Sequence, residues 1–277
     1  MTVELGRYGI WIPAGDATAE LAREAERLGY GTIWLGGSPT DLSIADAILD
    51  VTERLSVATG IVNMWATPAE DAATAFHRIE ERHPGRFLLG VGIGHPEATA
   101  EYRSPYATMV DYLDQLDAAE VPVASRALAA LGPKALTLAA ERTAGAHPYL
   151  VTLEHTRIAR ERMGAEALLA PEHKVVLDAD PAAARETGRP GVAKPYLRLR
   201  NYRANLARLG FTEEDMADGG SDRLIDALVA HGDADAVAAG LTAHLDAGAD
   251  HVNAQVLPRG SDPVPALRQI SEALDLA

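Results

Sequence analysis

Apolar residues in this chain fall into short unbroken runs that alternate with longer stretches of helical spacing. Gly6–Ile12, Thr32–Leu35, Ser56–Asn63, Phe87–Val91, part of Val121–Leu131, Gly145–Leu150, Lys174–Leu177 and His251–Leu257 predict eight strands. Runs of this kind mark strands covered on both faces. Between them, Thr18–Leu28, Ser43–Glu53, Ala69–Arg82, Ala107–Ala118, Pro133–Arg142, His155–Met163 and Asp233–Ala247 repeat apolar positions every three or four residues. That is the spacing of a helix with one buried face. Leu28-Gly29-Tyr30-Gly31 and Ala247-Gly248-Ala249-Asp250 place glycine where a helix ends, and a strand follows at once. Repeated strand–helix units with short turns imply a parallel sheet. Eight units favour an α/β fold closed as a (β/α)8 TIM barrel, typically of ~250 residues, over an open doubly wound sheet. The whole chain, 1–277, is expected to be one such domain.

The seventh and eighth strands are separated by roughly seventy residues, far more than an ordinary connection. Asp180–Glu186, Tyr196–Leu209 and Ser221–His231 each have helical spacing, and Asp218-Gly219-Gly220-Ser221 breaks the chain before the last. Residues 180–231 therefore predict a helical excursion at the strand C-termini, serving as substrate lid, dimer contact or plain packing.

Composition removes several classes of function. With 25 Lys and Arg against 40 Asp and Glu, the net charge is −15, unsuited to nucleic acid or anionic lipid. The chain has no cysteine, so thiolate catalysis, thiolate metal sites and disulfides are excluded. No cleavable signal and no apolar run approaching the ~20 residues of a membrane span is visible, and a cytoplasmic location is expected.

Barrel active sites form at the C-terminal ends of the strands. The residues expected there are Trp11, then Gly36, Gly37 and Ser38, then Gly60, Ile61, Asn63, Met64 and Trp65. Gly92, Gly94 and His95 follow, then Gly132, Pro133 and Lys134, then His147, Pro148 and Tyr149, and finally Gln255. The most informative stretch is Arg86–Pro96, a buried strand that opens into Gly90, Gly92 and Gly94 with His95 at the mouth. Backbone without side chains lets a flat ligand approach. There is no paired-carboxylate arrangement of a glycosidase and no His-x-His or HExxH metal set. No lysine is expected to face the barrel interior at a strand end, which argues against Schiff-base chemistry. The set suits a planar ring held by backbone and aromatic contacts, with a cofactor carrying the chemistry. Leu131-Gly132-Pro133-Lys134 opens a helix whose free N–H groups and dipole attract phosphate. His95 is the leading candidate for proton transfer, with His147 behind it.

These segments carry a resemblance. GYGTIWLGGS (Gly29–Ser38), VATGIVNMWATPAE (Val57–Glu70), HPGRFLLGVGIGHPE (His83–Glu97), LAALGPKALTLAAERTAGAHPYLVT (Leu128–Thr152) and AGADHVNAQVLP (Ala247–Pro258) resemble the bacterial luciferase-like monooxygenase family. Within it they are most similar to an actinobacterial group of coenzyme F420-dependent oxidoreductases. The resemblance implies a barrel, usually a homodimer, with a flavin-type ring at the strand C-termini. It implies a non-proline cis peptide at Gly60–Ile61 beneath the ring and places Ser38, Asn63, Gly92, Ile93, Gly94 and His95 near the coenzyme. Leu131, Gly132 and Pro133 match its phosphate-binding segment. Trp11, Trp65 and Tyr149 would line the substrate side. Family members often end the second strand with an acidic residue and a ring-side histidine, where this chain has Gly37-Ser38. The activity implied is hydride transfer between F420 and a small organic substrate. FMN-dependent oxygenation with a separate flavin or F420 reductase is the alternative, and a coenzyme-binding barrel without turnover a third.

Overall fold

The computed structural model describes residues 3–94 and 104–276. His95, with the Pro96 and Glu97 that complete the glycine turn, lies outside the described residues. Among the described residues nine strands, two of them halves of one, form a single ring, each parallel to its neighbours. β1 (Tyr8–Pro13) lies between β2 (Thr32–Gly36) and, on its other side, β11 (Val252–Val256). From β2 the order continues through β3 (Ser56–Thr59), β5 (Phe87–Gly92), β6 (Arg126–Leu128) and β7 (Gly145–Ala146) to β8 (Leu168–Leu169). Two residues after β8 the same extended segment resumes as β9 (Glu172–Leu177), which pairs with β11. β8 and β9 are thus two halves of one barrel strand, and they close the ring.

The outward faces of these strands pack on helices α1 (Ala19–Arg27), α2 (Ser43–Leu49), α3 (Ala69–Arg82), α4 (Pro105–Ala118), α5 (Pro133–Arg142), α6 (Leu153–Met163), α10 (Ala234–Asp246) and α11 (Val264–Ala273). Ile10, Ile12, Ile33, Leu35, Val57, Phe87, Leu89 and Leu128 alternate into that outer layer. The intervening positions face inward, because successive strand side chains point to opposite sides. Inside, the large Trp11 and Trp34 fill space left by Ala58, Ala127 and Ala170, a large-against-small match that packs a barrel interior. Thr18 starts α1 by accepting the Leu21 N–H at 3.1 Å.

Several predicted boundaries shift for local reasons. The third strand breaks at the cis Gly60–Ile61 bond and resumes as β4 (Val62–Asn63), paired with β5. The sixth stops at Ala146 rather than Leu150, since Pro148 has no N–H to give and Leu150 adopts φ +55°. The fifth shrinks to three residues because Pro122 is followed by a 3-10 turn over Val123–Ser125.

The excursion holds α7 (Pro181–Ala193), α8 (Arg200–Arg208) and α9 (Asp222–Leu228), with a 3-10 turn at Tyr196–Arg198. One prediction there is corrected. Ser221–His231 is helical only to Leu228, and Val229–Gly232 forms a further parallel strand, β10. It pairs Lys174 with Val229 and Leu177 with Gly232, on the edge of β9 that the two-residue β7 leaves uncovered. The segment has its own apolar cluster, with Leu197, Tyr202, Leu206, Phe211 and Leu224 closing onto Leu150, Val176 and Leu257 of the barrel. Among the described residues no helix is long and apolar enough to cross a membrane.

Candidate functional site

The period of two along each strand decides what faces the interior at the C-terminal end. Trp11 and Gly36 come from β1 and β2, and Gly60 follows β3. The other side of the ring contributes His147 and Tyr149 after β7, Glu172 and Lys174 from β9, and Asn253 and Gln255 from β11.

The glycines make room. A Cβ on residue 36 would lie 2.1 Å from the Trp11 ring, and one on residue 60 would lie 2.8 Å from Trp11 Nε1 and 3.0 Å from His147 Nε2. Real side chains do not approach so closely, so Trp11 and His147 reach the centre only because those positions are bare. Both nitrogens are buried and, among the described residues, have no hydrogen-bond partner. Buried polar atoms are normally paired, so two orphans converging on one point suggest a missing ligand. His147 stacks on Trp34 with ring centroids 4.0 Å apart. Its Nδ1 lies 2.7 Å from the Ala170 carbonyl, to which it donates, leaving Nε2 as an acceptor. Burial pushes the imidazole down to about 4. The expectation that His147 stands in as a proton donor therefore gives way to a neutral, accepting ring.

Next to it is a buried polar network. Lys174 Nζ donates to Glu172 Oε1 at 2.9 Å, to Tyr149 Oη at 3.0 Å and to Gln255 Oε1 at 3.0 Å. These acceptors match the three N–H bonds of an ammonium. The side chains of Lys174 and Glu172 are both 0% exposed. The expectation that no lysine faces the interior is thus wrong. Charged residues two apart on one strand share a face, and β9 directs that face inward. Tyr149 Oη donates to Gln255 Oε1 at 2.8 Å and accepts from Arg259 Nη2 at 2.8 Å. The Tyr149 ring also meets Trp11, with centroids 5.1 Å apart. Gln255 Nε2 and Asn253 Nδ2 are further buried atoms without partners. Sequence reasoning missed Glu172, Lys174 and Arg259. The available signal was a pair of opposite charges two apart in an otherwise apolar parallel strand, where charge is rarely tolerated unpaired.

A cavity of about 600 Å3 opens beside this network, between β1, β11, α1 and α11. It is lined by Trp11, Gln255 and Arg259 together with outer-layer residues Ile10, Ile12 and Leu267.

The remaining predicted residues form two neighbouring groups. Ile61 packs over Gly92, and Asn63 pairs in register with Gly92 and closes against Gly94, whose φ is +64°. Asn63 Oδ1 also accepts the Trp65 N–H at 3.0 Å, while the Trp65 indole nitrogen is unpartnered. In the second group, Gly132 is the N-cap and Pro133 the first residue of α5. His155 Nε2 donates to the Leu131 carbonyl at 3.0 Å. Arg208 of the excursion brings Nη2 to within 3.8 Å of where a residue-132 Cβ would be. Arg208 also donates to Asn205 Oδ1 at 3.1 Å, and the buried Asn205 Nδ2 has no partner. A helix N-terminus with a guanidinium and a spare amide suits a phosphate. Ser38 stands apart from these groups, its Oγ donating to the Leu35 carbonyl at 2.8 Å. Among the described residues no group of three His, Cys, Asp or Glu side chains forms a metal cluster.

The family model of luciferase-like monooxygenases matches residues 4–121. No curated protein matches the sequence. Among solved structures, the chain is similar to an F420-dependent secondary alcohol dehydrogenase in complex with an F420-acetone adduct, with a TM-score of 0.77 and 15% identity, covering 100% of this chain and 99% of that one. It is similar to the coenzyme F420-dependent tetrahydromethanopterin reductase from Methanopyrus kandleri, at TM-score 0.72 and 16% identity over 99% of both chains. It is also similar to the oxygenating constituent of 3,6-diketocamphane monooxygenase from Pseudomonas putida in complex with FMN, at TM-score 0.69 and 14% identity, covering 96% and 95%. At these identities the likeness establishes the fold, a luciferase-like barrel over the full chain.

Proposed function

We propose that this luciferase-like barrel is an oxidoreductase that binds coenzyme F420 and transfers hydride between it and a small organic substrate. The observation that carries this reading is the convergence of unpartnered Trp11 Nε1 and His147 Nε2 on the bare Gly60, beside the cavity. A planar ring with carbonyl and N–H edges would satisfy both atoms. Gly92 and Gly94 leave one wall as backbone, with Ile61 and Asn63 against it. Leu131, Gly132 and Pro133, with Arg208, would hold the coenzyme phosphate. When bound, F420 supplies hydride chemistry, and the chain's own residues orient donor and acceptor and keep water out. FMN is the alternative coenzyme, because the ring and phosphate contacts suit both. The choice of F420 is supported by the likeness to an F420-dependent secondary alcohol dehydrogenase and an F420-dependent tetrahydromethanopterin reductase.

The test is equilibrium binding of F420 and of FMN to the wild type, Gly132→Asp and Arg208→Ala, read by fluorescence. Selective F420 binding is expected, abolished by the aspartate and weakened about tenfold by the loss of Arg208, a charge-assisted contact. Tighter FMN binding would make the protein a flavin-dependent monooxygenase that needs a separate reductase. Binding of neither would overturn the reading.

A further inference from the structure

We propose that Tyr149 is the proton-transferring residue of this site, that Lys174 and Arg259 stabilise its phenolate, and that the substrate is a carbonyl compound or the corresponding alcohol. This rests on the hydride-transfer reading above and goes beyond it by naming the acid and the substrate class.

Geometry selects Tyr149. Its hydroxyl receives hydrogen bonds from two cations, Lys174 at 3.0 Å and Arg259 at 2.8 Å. Lys174 Nζ also stands 4.1 Å from the centre of the Tyr149 ring. Two donors on one phenol oxygen stabilise its deprotonated form. The charges agree. Glu172 offsets Lys174 at 2.9 Å, which leaves Arg259 as one surplus positive charge beside a neutral phenol. A phenolate, or an alkoxide forming next to it, would neutralise that surplus. Burial and the nearby Glu172 carboxylate hold the Tyr149 hydroxyl well above its ordinary range, with Arg259 acting in the opposite direction, so the phenol is the resting form. Tyr149 is half-buried and its ring meets Trp11, while its two partners Gln255 and Arg259 line the cavity. The His147 N–H is held by the backbone carbonyl of Ala170, whereas the Tyr149 O–H is held by the Gln255 side chain, whose place a substrate oxygen would take.

In the reducing direction a bound reduced deazaflavin would give hydride to the carbonyl carbon, forming a C–H bond, and would itself be oxidised. The carbonyl π pair moves onto oxygen. That oxygen takes the Tyr149 proton as the Oη–H bond breaks, and the phenolate regains a proton from water on the exposed Arg259 side. Alcohol oxidation runs the same steps backwards.

Benzoate is a suitable probe, because its flat ring fits an aromatic wall and a carboxylate oxygen stands in for the developing alkoxide. Calorimetric titration would compare wild type, Tyr149→Phe, Arg259→Ala and Arg259→Lys, with F420 binding measured alongside by fluorescence. The phenylalanine keeps the ring packing, and Arg259 is exposed, so neither change threatens folding. F420 affinity is expected to be the same in all four. Benzoate should bind the wild type, weaken tenfold or more in Tyr149→Phe and Arg259→Ala, and recover in Arg259→Lys. Failure of every protein to bind F420 would sink the coenzyme reading, while the benzoate series judges the oxyanion site independently. Wild type that ignores benzoate, or a phenylalanine variant that binds it as tightly, would overturn the role of Tyr149. With a ketone that turns over, Tyr149→Phe should lower kcat about 100-fold or more at nearly unchanged KM. A loss within threefold would also overturn it.

Discussion

The two sides of the barrel's C-terminal opening are built on opposite principles. From β2 to β5 the wall is shaped by absence, with Gly36, Gly60, Gly92 and Gly94 leaving backbone and room for Trp11. From β7 to β11 it is built from charge and hydrogen bonds, with His147, Tyr149, Glu172, Lys174, Asn253 and Gln255 facing inward. Among the described residues, burial depresses the titration of His147, His155, His173, His244 and His251, all from the half of the chain that follows β7. One wall can accept a flat ring with little electrostatic cost, and the other can respond to charge that develops on it. The hydride transfer proposed above needs both.

The largest expected difference comes from cutting the ion pair. Lys174→Met leaves Glu172 buried and uncompensated, which should lower stability by about 3–5 kcal/mol. Adding Glu172→Gln should recover much of that loss, measured by urea unfolding. A single variant as stable as the wild type would mean that the network is not what holds the second wall.

Acid should unfold the protein through that same side. Burial holds His147 and His173 at about 4, while in the unfolded chain they titrate near 6.5. Between those values the unfolded chain binds more protons, so stability falls as pH falls, by about 1.4 kcal/mol per pH unit per histidine at the steepest. Above about 6.5 and below about 4 these two groups contribute no slope. Urea midpoints between pH 7 and 5, where carboxylates stay ionised, should decline, and His147→Asn should flatten the decline. A level midpoint over that window would contradict the burial of the pair.

The glycine wall predicts a smaller effect of another kind. Gly36→Ala puts a methyl 2.1 Å from the Trp11 ring. Displacing the indole should cost about 1–3 kcal/mol as overpacking, and the Trp11 fluorescence should shift as the ring moves. An unchanged spectrum and stability would show that the wall has slack.

The same contrast explains what the sequence made legible. Glycines, prolines and apolar runs act locally, so the barrel, the helix starts at Thr18 and Pro133, and the bare turn after Phe87 were visible in order along the chain. Glu172 and Lys174 carry one local signal, opposite charges two apart in an apolar run, and the pairing of β9 on both edges is what turns them inward. β10 was hidden because Val229–Gly232 becomes a strand by adding to an edge that the short β7 leaves open. Arg208 was hidden because nothing near it in sequence says that α8 comes back over Gly132.

Two threonine caps provide the finest comparison. Thr18 accepts the Leu21 N–H at 3.1 Å at the start of α1, and Thr152 accepts the His155 N–H at 3.2 Å at the start of α6. Each alanine substitution should cost about 1 kcal/mol of stability, since each leaves an N–H of the first turn without its partner. Their effects on coenzyme binding should differ. Thr18 begins a helix whose neighbouring wall holds by bare backbone, so F420 affinity should not change. Thr152 fixes the turn that carries His155, and His155 in turn holds the Leu131 carbonyl at the segment proposed to bind phosphate. Thr152→Ala should therefore weaken F420 binding a few-fold, read by coenzyme fluorescence against Thr18→Ala at matched stability. Equal affinities in the two variants would mean that α5 presents its N-terminus without help from α6, and that the second wall is positioned by its ion pair alone.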